Sequence, residues 1–473
     1  MDPSRVLDIF KELTTIPRES GHEGPVTDWL CAWAAAHGLE CKRDTTGNVL
    51  ISRKAAPGKE KVPTLVLQAH QDMVCEQTAG FGHDFRKDPI PYVIEDGWMI
   101  AKNTTLGADD GIGIAACLAL LEDPYPTGRI ECLFTISEET GMDGAEALEA
   151  GFFEGKTLIN LDSEDEGQLF IGCAGGLNTN IRFRYYRSES NMQHVRCTIS
   201  GGIGGHSGDD INKGRANTVQ LMARFLYGRL AGGLQLVSMD GGGKPNAIAR
   251  ECEAVVAVPD ADEFLAAFRG FAADIAEEFH STDPGLACTA GRVPMSEKPL
   301  SVTSSRRIIT ALFACPHGVH AMSQDIPGLV QTSTNLASVR THKDKNVIEI
   351  VTSQRSASTS ERRAMAAKVR ACFELAGATV RHMYEYPGWN PDVNSPILAR
   401  TVEAYRRLFS TEPLVLAIHA GLECGLFLQK FPGLDMISFG PTLRGVHAPG
   451  EKLELASMDK FVALLEDVVR NFE

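Results

Sequence analysis

Two consecutive aspartates, Asp109 and Asp110, follow Gly107 and precede Gly111 and Gly113 in the stretch NTTLGADDGIGIA, residues 103–115. The glycines allow a sharp, close-packed turn, and the apolar run Ile112–Leu121 after them suits a buried helix. A carboxylate held at such a junction can bridge two metal ions through its two oxygens. It can equally cap the helix N-terminus, where acidic residues are favoured. His70 and Asp72 stand at i and i+2, on one face if they lie on a strand. Imidazole is a common ligand for divalent metals, and a carboxylate beside it can accept the other ring N–H. Glu138 and Glu139 are consecutive and point in different directions. That suits one carboxylate on a metal and the other free to take a proton from water. Asp162 lies in the acidic loop LDSEDEG, and His447 lies in the Gly/Pro-rich loop of SFGPTLRGVHAPGE. Any one of these alone also reads as a solvated loop or strand end.

Further polar groups stand elsewhere. His419 and Glu423 form a cluster in HAGLECG. His206, in ISGGIGGHSGDD, is surrounded by glycines, which suits close approach of a ligand or another backbone. Arg355 ends a strand-like run and could bind a carboxylate bidentately. His317 and His320, in CPHGVH, have metal-like spacing but no third ligand nearby, and read as a plain loop.

The elements needed to hold these groups are legible as apolar runs. Val62–Gln68, Ile130–Ile136 and Thr157–Leu161 have strand length and no alternation, as strands covered on both faces do. The first ends in Ala69-His70-Gln71-Asp72, the second in Ser137-Glu138-Glu139, the third in Asp162-Ser163-Glu164. In open α/β sheets the site lies beyond the carboxyl ends of the strands, so these three ends and the Asp109 turn are expected to converge. Helices are predicted over residues 3–14 and 25–37. From about Arg182 the texture changes to alternating strands (Val195–Ser200, Ala254–Val258) and amphipathic helices (Ala216–Leu230, Ala261–Phe279). The same order returns in Val347–Thr352 and Glu361–Leu375. The α/β texture resumes after Pro387, with helix Ser395–Phe409, strand Leu434–Phe439 and a final amphipathic helix, Ala456–Phe472. The reading is one α/β domain, residues 1–185 and 386–473, interrupted by an α+β insert, 186–385, built as two related lobes.

Composition narrows the function classes. A chain of 473 residues exceeds one ordinary core. Its 43% hydrophobic and 23% charged residues are those of a soluble globular protein. No apolar run approaches the ~18 residues of a membrane span, and the N-terminus MDPSRVLDIF has no secretory pattern. Twelve cysteines without a CxxC pair read as reduced thiols, hence a cytoplasmic setting. A net charge of -15 argues against a nucleic-acid partner and is compatible with bound cations.

The blocks HQDMVCE, TLGADDGIGIA, ISEETGMDGA, NLDSEDEG, GGHSGDDI, HAGLECG and GVHAPGE occur in this order, after an opening TIPRESGHEG. Together they resemble the aminoacyl-histidine dipeptidases, the bacterial carnosinase-like branch of the co-catalytic di-zinc exopeptidases, from about residue 15 to residue 452. The resemblance implies a zinc-exopeptidase-like catalytic domain, with a central mixed sheet flanked by helices, interrupted by a lid that caps substrate or dimerises. It implies His70 and Asp162 on one metal, Glu139 and His447 on the other, and Asp109 bridging them. It also implies Glu138 as general base, Asp72 orienting His70, His206 stabilising the oxyanion and Arg355 binding the substrate carboxylate. His419 is expected to touch substrate. The two ions are expected to be zinc, with manganese or cobalt also suited to nitrogen and oxygen ligands. The expected substrates are small unblocked dipeptides, Xaa-His among them. An N-acyl amino acid amidohydrolase or a carboxypeptidase would share the same metal site. The insert is long enough for His206 to act within its own chain; a homodimer would offer a route across subunits.

Overall fold

The three apolar runs become adjacent parallel strands in the computed structural model, which describes residues 1–295 and 297–473. Leu65–His70 lies between Ile130–Thr135 and Thr157–Asn160 and is parallel to both. Every residue of the first two strands is buried, as unbroken apolar runs require. Asp435–Ser438 continues the parallel set beside Thr157–Asn160. The register brings the carboxyl ends level: His70 stands opposite Thr135, Gln68 opposite Asn160, and Asn160 opposite Ser438. The first strand begins at Leu65 rather than Val62 and ends on His70 itself. The whole sheet has eight strands, in the order Glu40–Arg43, Val49–Arg53, Ile130–Thr135, Leu65–His70, Thr157–Asn160, Asp435–Ser438, Gln168–Cys173, Leu414–Ile418.

Helices complete this part as their patterns predict. Pro3–Leu13 buries Val6, Ile9, Phe10 and Leu13 and packs against Ala108–Glu122. The latter buries its residues all round, so its surroundings are core and not solvent. The last helix, Leu455–Arg470, turns Phe461, Leu464, Leu465 and Val468 inward. A small antiparallel sheet of Leu443–Arg444, Lys452–Glu454, Trp98–Ala101 and Tyr92–Glu95 pins the two ends of the loop that carries His447.

The chain divides into two compact units. One comprises Met1–Gly172, Pro391–Ala417 and Leu422–Glu473; the other comprises Cys173–Asn390 and Ile418–Gly421. The second therefore starts earlier than residue 186 and ends later than 385. The reason is the strand Gly175–Arg184, which pairs with Val347–Ser356 and with Thr379–Tyr386. It buries Ile181 and Phe183 while exposing Arg182 and Arg184, the alternation of a strand with one covered face. The second unit is a nine-stranded sheet with helices Thr218–Arg229, Ala261–Glu278, Val302–Ala314 and Thr359–Leu375. Its core gathers Leu226, Phe268, Ile309, Val339, Ile350 and Phe373. Within this sheet, the strands Gln235–Gly242 and Val330–His342 join through Gly241 and Gly242, which pair with Val339 and Ser338. His320 lies on a strand, Gly318–Met322, and not in a loop.

Candidate metal centre

The level strand ends and the loops beside them bring seven of the predicted residues together in the first unit. Asp109 is the pivot. Its Oδ1 lies 2.9 Å from His70 Nε2, and its Oδ2 lies 3.2 Å from His447 Nε2. Beside each imidazole stands a second carboxylate: Asp162 Oδ1 is 3.5 Å from His70 Nε2, and Glu139 Oε1 is 2.9 Å from His447 Nε2. Two groups able to hold a cation result, His70–Asp109–Asp162 and Asp109–Glu139–His447, sharing Asp109. His70, Glu138 and Glu139 also lie close enough to form a group. The neighbouring Asp110 serves the fold instead. Its Oδ1 accepts Gly113 N–H at 3.1 Å, inside the first turn of the helix, and its Oδ2 accepts His70 N–H at 3.3 Å. Of the aspartate pair, Asp109 thus faces both imidazoles while Asp110 caps the turn.

Asp72 lies two residues beyond the end of its strand, yet it still reaches His70. Its Oδ1 is 3.3 Å from His70 Nδ1. The same carboxylate accepts the Ser20 hydroxyl at 2.8 Å and the backbone N–H groups of Glu138 and Glu139 at 3.1 and 3.2 Å. One side chain therefore fixes the back of an imidazole and the start of the Glu138–Glu139 turn. That turn opens with Ser137 at φ +53°, a conformation uncommon for a residue with a Cβ. Glu23 Oε1 holds it there by accepting both the N–H and the hydroxyl of Ser137, at 3.1 and 2.9 Å.

The electrostatics suit a cation. Burial alone would lower the His70 imidazole, but Asp162, Asp109 and Asp72 raise it well above its usual value. Hydrogen bonds to Asp109 and Glu139 raise His447 to about 11. Burial, then the crowding of charges, pushes Asp162 up to about 7 and Glu164 to about 8. Burial and Asp162 likewise raise Glu138. Carboxylates thus outnumber the cations present, and only imidazolium protons offset them. Two divalent cations in place of those protons would balance the carboxylates of Asp109, Glu139 and Asp162 with oxygen and nitrogen donors suited to such metals. The donor set fits the implied metal pair.

The second unit holds the other predicted residues as a cluster of its own. Arg355 is buried on the strand Val347–Ser356, where it pairs with Ser333 and Gly176. It donates from Nη1 to Tyr386 Oη at 3.3 Å and from Nη2 to His206 Nε2 at 3.4 Å, while Nε has no partner among the described residues. His206 Nδ1 lies 3.2 Å from Asp209 Oδ2. His419 enters this unit on the re-entrant segment Ile418–Gly421 and meets Ser333 Oγ at 2.7 Å. Burial, then Arg355, lowers His419 to about 3, so it is a neutral imidazole at ordinary pH. His317 is not part of this cluster. It accepts Leu336 N–H at 3.2 Å and is a half-buried histidine with a structural partner.

Residues 66–471 match the description Peptidase family M20/M25/M40. The chain belongs to this family. It is 37% identical to the cytosol non-specific dipeptidase of Escherichia coli (strain K12) over 99% of its length and 98% of that protein's. The crystal structure of aminoacylhistidine dipeptidase from Vibrio alginolyticus superposes with a TM-score of 0.92 at 37% identity, covering 100% of this chain and 97% of that one. The fold extends to the aminopeptidase PepT of Bacillus cereus, with a TM-score of 0.63 at 17% identity over 99% and 98% of the two chains. As a family member the chain is a peptidase, a hydrolase, and its α/β architecture is that of the family. No helix among the described residues is long and apolar enough to cross a membrane.

Several residues that shape this peptidase centre carry no chemical signature of their own in the sequence. Arg18 is buried and donates to the carbonyls of Gln71 and Asp72, at 3.2 and 3.0 Å, and to that of Gly107. It ties the end of the His70 strand to the turn before Asp109. Arg18, Ser20 and Glu23 all come from the opening block TIPRESGHEG. Their partners are backbone groups, Asp72 and the Ser137 hydroxyl, which no spacing rule reveals.

Proposed function

We propose that this chain is a metal-dependent dipeptidase that hydrolyses unblocked dipeptides, Xaa-His among them, in the cytosol. Asp109 carries the reading: each of its two oxygens faces the Nε2 of a different imidazole, and each of those nitrogens has one further carboxylate beside it. His70, Asp109 and Asp162 would hold one divalent ion and Asp109, Glu139 and His447 the second, with zinc the metal favoured by this donor set. Bound there, the pair would polarise a carbonyl and lower the pKa of water towards neutrality. Glu138, raised by burial, takes the proton of the attacking water and passes it to the leaving amine. Asp72 keeps His70 in one orientation. In the second unit, Arg355 would receive the substrate carboxylate. His206 would donate to the developing oxyanion, worth about 3–4 kcal/mol for one well-placed donor. The neutral His419 would touch substrate as a hydrogen-bonding group. The relatives' names, cytosol non-specific dipeptidase and aminoacylhistidine dipeptidase, support the substrate class.

The test compares an unblocked Xaa-His dipeptide with its N-acetylated form on the purified, zinc-loaded protein. Cleavage of the free dipeptide alone is expected. Preference for the acetylated form would replace this reading with an N-acyl amino acid amidohydrolase.

A further inference from the structure

Glu451 closes the block GVHAPGE and lies four residues beyond His447. It is buried and, among the described residues, forms no ion pair with a cationic side chain, although the Arg18 guanidinium lies near enough to attract it. Its carboxylate accepts successive backbone N–H groups: Oε2 from Leu106 at 2.7 Å and Gly107 at 3.0 Å, Oε1 from Ala108 at 2.8 Å and Asp109 at 3.5 Å. These N–H groups line the turn that leads into the helix Ala108–Glu122, where Asp109 and Asp110 are not yet helical, and successive N–H groups of such a turn form an anion seat. Here the chain fills that seat with its own carboxylate. The same residue also holds its own loop. Glu451 N–H bonds to Ala448 O at 3.1 Å, Ala448 N–H to Gly445 O at 3.1 Å, and Ala101 N–H to Glu451 O at 3.0 Å. Gly450 N–H bonds to Thr104 O at 2.9 Å. The turn that presents His447 and the turn that presents Asp109 are thereby joined through one side chain.

We infer that Glu451 is a positioning residue that sets the separation of Asp109 and His447, and so the affinity of the metal position these two share with Glu139. This rests on the two-metal reading above. A glutamine there would keep one acceptor oxygen and turn an NH₂ group towards backbone N–H donors. At least one of the donors then lacks an acceptor and the Asp109 turn loosens. An aspartate would keep both oxygens but withdraw them by about 1.5 Å, one carbon–carbon bond. Supporting residues of this kind typically change metal affinity about 10–100-fold.

The experiment titrates zinc or cobalt into metal-free wild type, Glu451→Gln and Glu451→Asp against a competing chelator, and follows the cobalt spectrum. Wild type is expected to bind two equivalents. Each variant is expected to bind the first nearly as wild type does and the second about 10–100-fold more weakly, with an altered cobalt spectrum. Turnover of the variants should recover at saturating metal with KM unchanged, a rescue that simple loss of folded protein would not give. Wild-type affinity for both equivalents in either folded variant overturns the inference. If Glu451→Gln does not fold, Glu451→Asp decides alone. Failure of wild type to bind two equivalents would overturn the metal reading instead.

Discussion

Glu138 and Glu139 are adjacent carboxylates with different proposed tasks, and geometry alone also allows Glu138 to join His70 and Glu139 around a cation. Substitution separates the tasks. Glu138→Ala is expected to lower turnover by at least about 10²–10⁴-fold, the usual worth of a general base, while keeping two equivalents of metal. His447→Ala should lose one equivalent. Metal analysis beside kinetics checks both, and a Glu138→Ala protein that loses metal would make Glu138 a ligand. Glu423 poses a different question. It accepts Gln68 Nε2 at 2.6 Å and Thr135 Oγ1 at 2.8 Å on one oxygen, and its Oε1 has no partner among the described residues. Burial raises it from about 4.5 to about 8. The folded chain then holds this proton more tightly than the unfolded chain does. The stabilisation is full below the ordinary glutamate range and falls as pH rises towards 8. Metal-free wild type should therefore lose stability relative to Glu423→Gln between about pH 5 and pH 8, at up to about 1.4 kcal/mol per pH unit. Urea unfolding at several pH values measures the difference, and parallel curves for the two proteins would refute it. The residues proposed as ligands could be picked out because they stand in polar blocks beside apolar runs, before one in the case of Asp109 and after one in the others. Glu451 and Arg18 could not, because a side chain that bonds only to backbone leaves no spacing pattern.

Among the elements, the turn before Asp109 bears a tight steric demand. Gly107 has φ +69°, and a Cβ there would meet Met73 Sδ at 2.7 Å and the Arg18 guanidinium more closely still. Gly107→Ala is expected to cost about 1–3 kcal/mol of stability through backbone strain and to weaken metal binding, because Asp109 is two residues on. Denaturant unfolding and a chelator competition read the two effects. An alanine variant with both values unchanged would mean that the turn yields without consequence. The buried parallel strands were legible as apolar runs that cannot alternate. The strand Gly175–Arg184 was harder. Gly175, Gly176, Asn178 and Asn180 weaken its β signal, so the change of texture was seen only near Arg182. Pairing with Val347–Ser356, far along the chain, makes it a strand. The sequence holds no trace of that partner.

At the scale of the whole chain, two compact units with separate sheets share one polypeptide, and the second reclaims only Ile418–Gly421 from the C-terminal segment. That four-residue return is not a feature a pattern of hydrophobicity can announce. It is local in sequence and set by where Ala174 N–H finds acceptors, at the carbonyls of Ile418 and Ala420. All the proposed metal ligands belong to the first unit, and the core of Leu226, Phe268, Ile309 and Phe373 belongs to the second. A cation that binds only the folded first unit stabilises it by mass action, by about 2.7 kcal/mol when free metal is one hundred times its dissociation constant. It also relieves the repulsion among the crowded carboxylates. Calorimetry of the metal-free protein should therefore resolve two transitions, as multi-domain chains commonly do. Added zinc should raise one by several degrees and leave the other in place. Limited proteolysis at the same temperatures would identify the zinc-sensitive transition by protection of sites in Met1–Gly172. Zinc that shifts both transitions equally, or a single transition that moves as one, would mean that the two units unfold together.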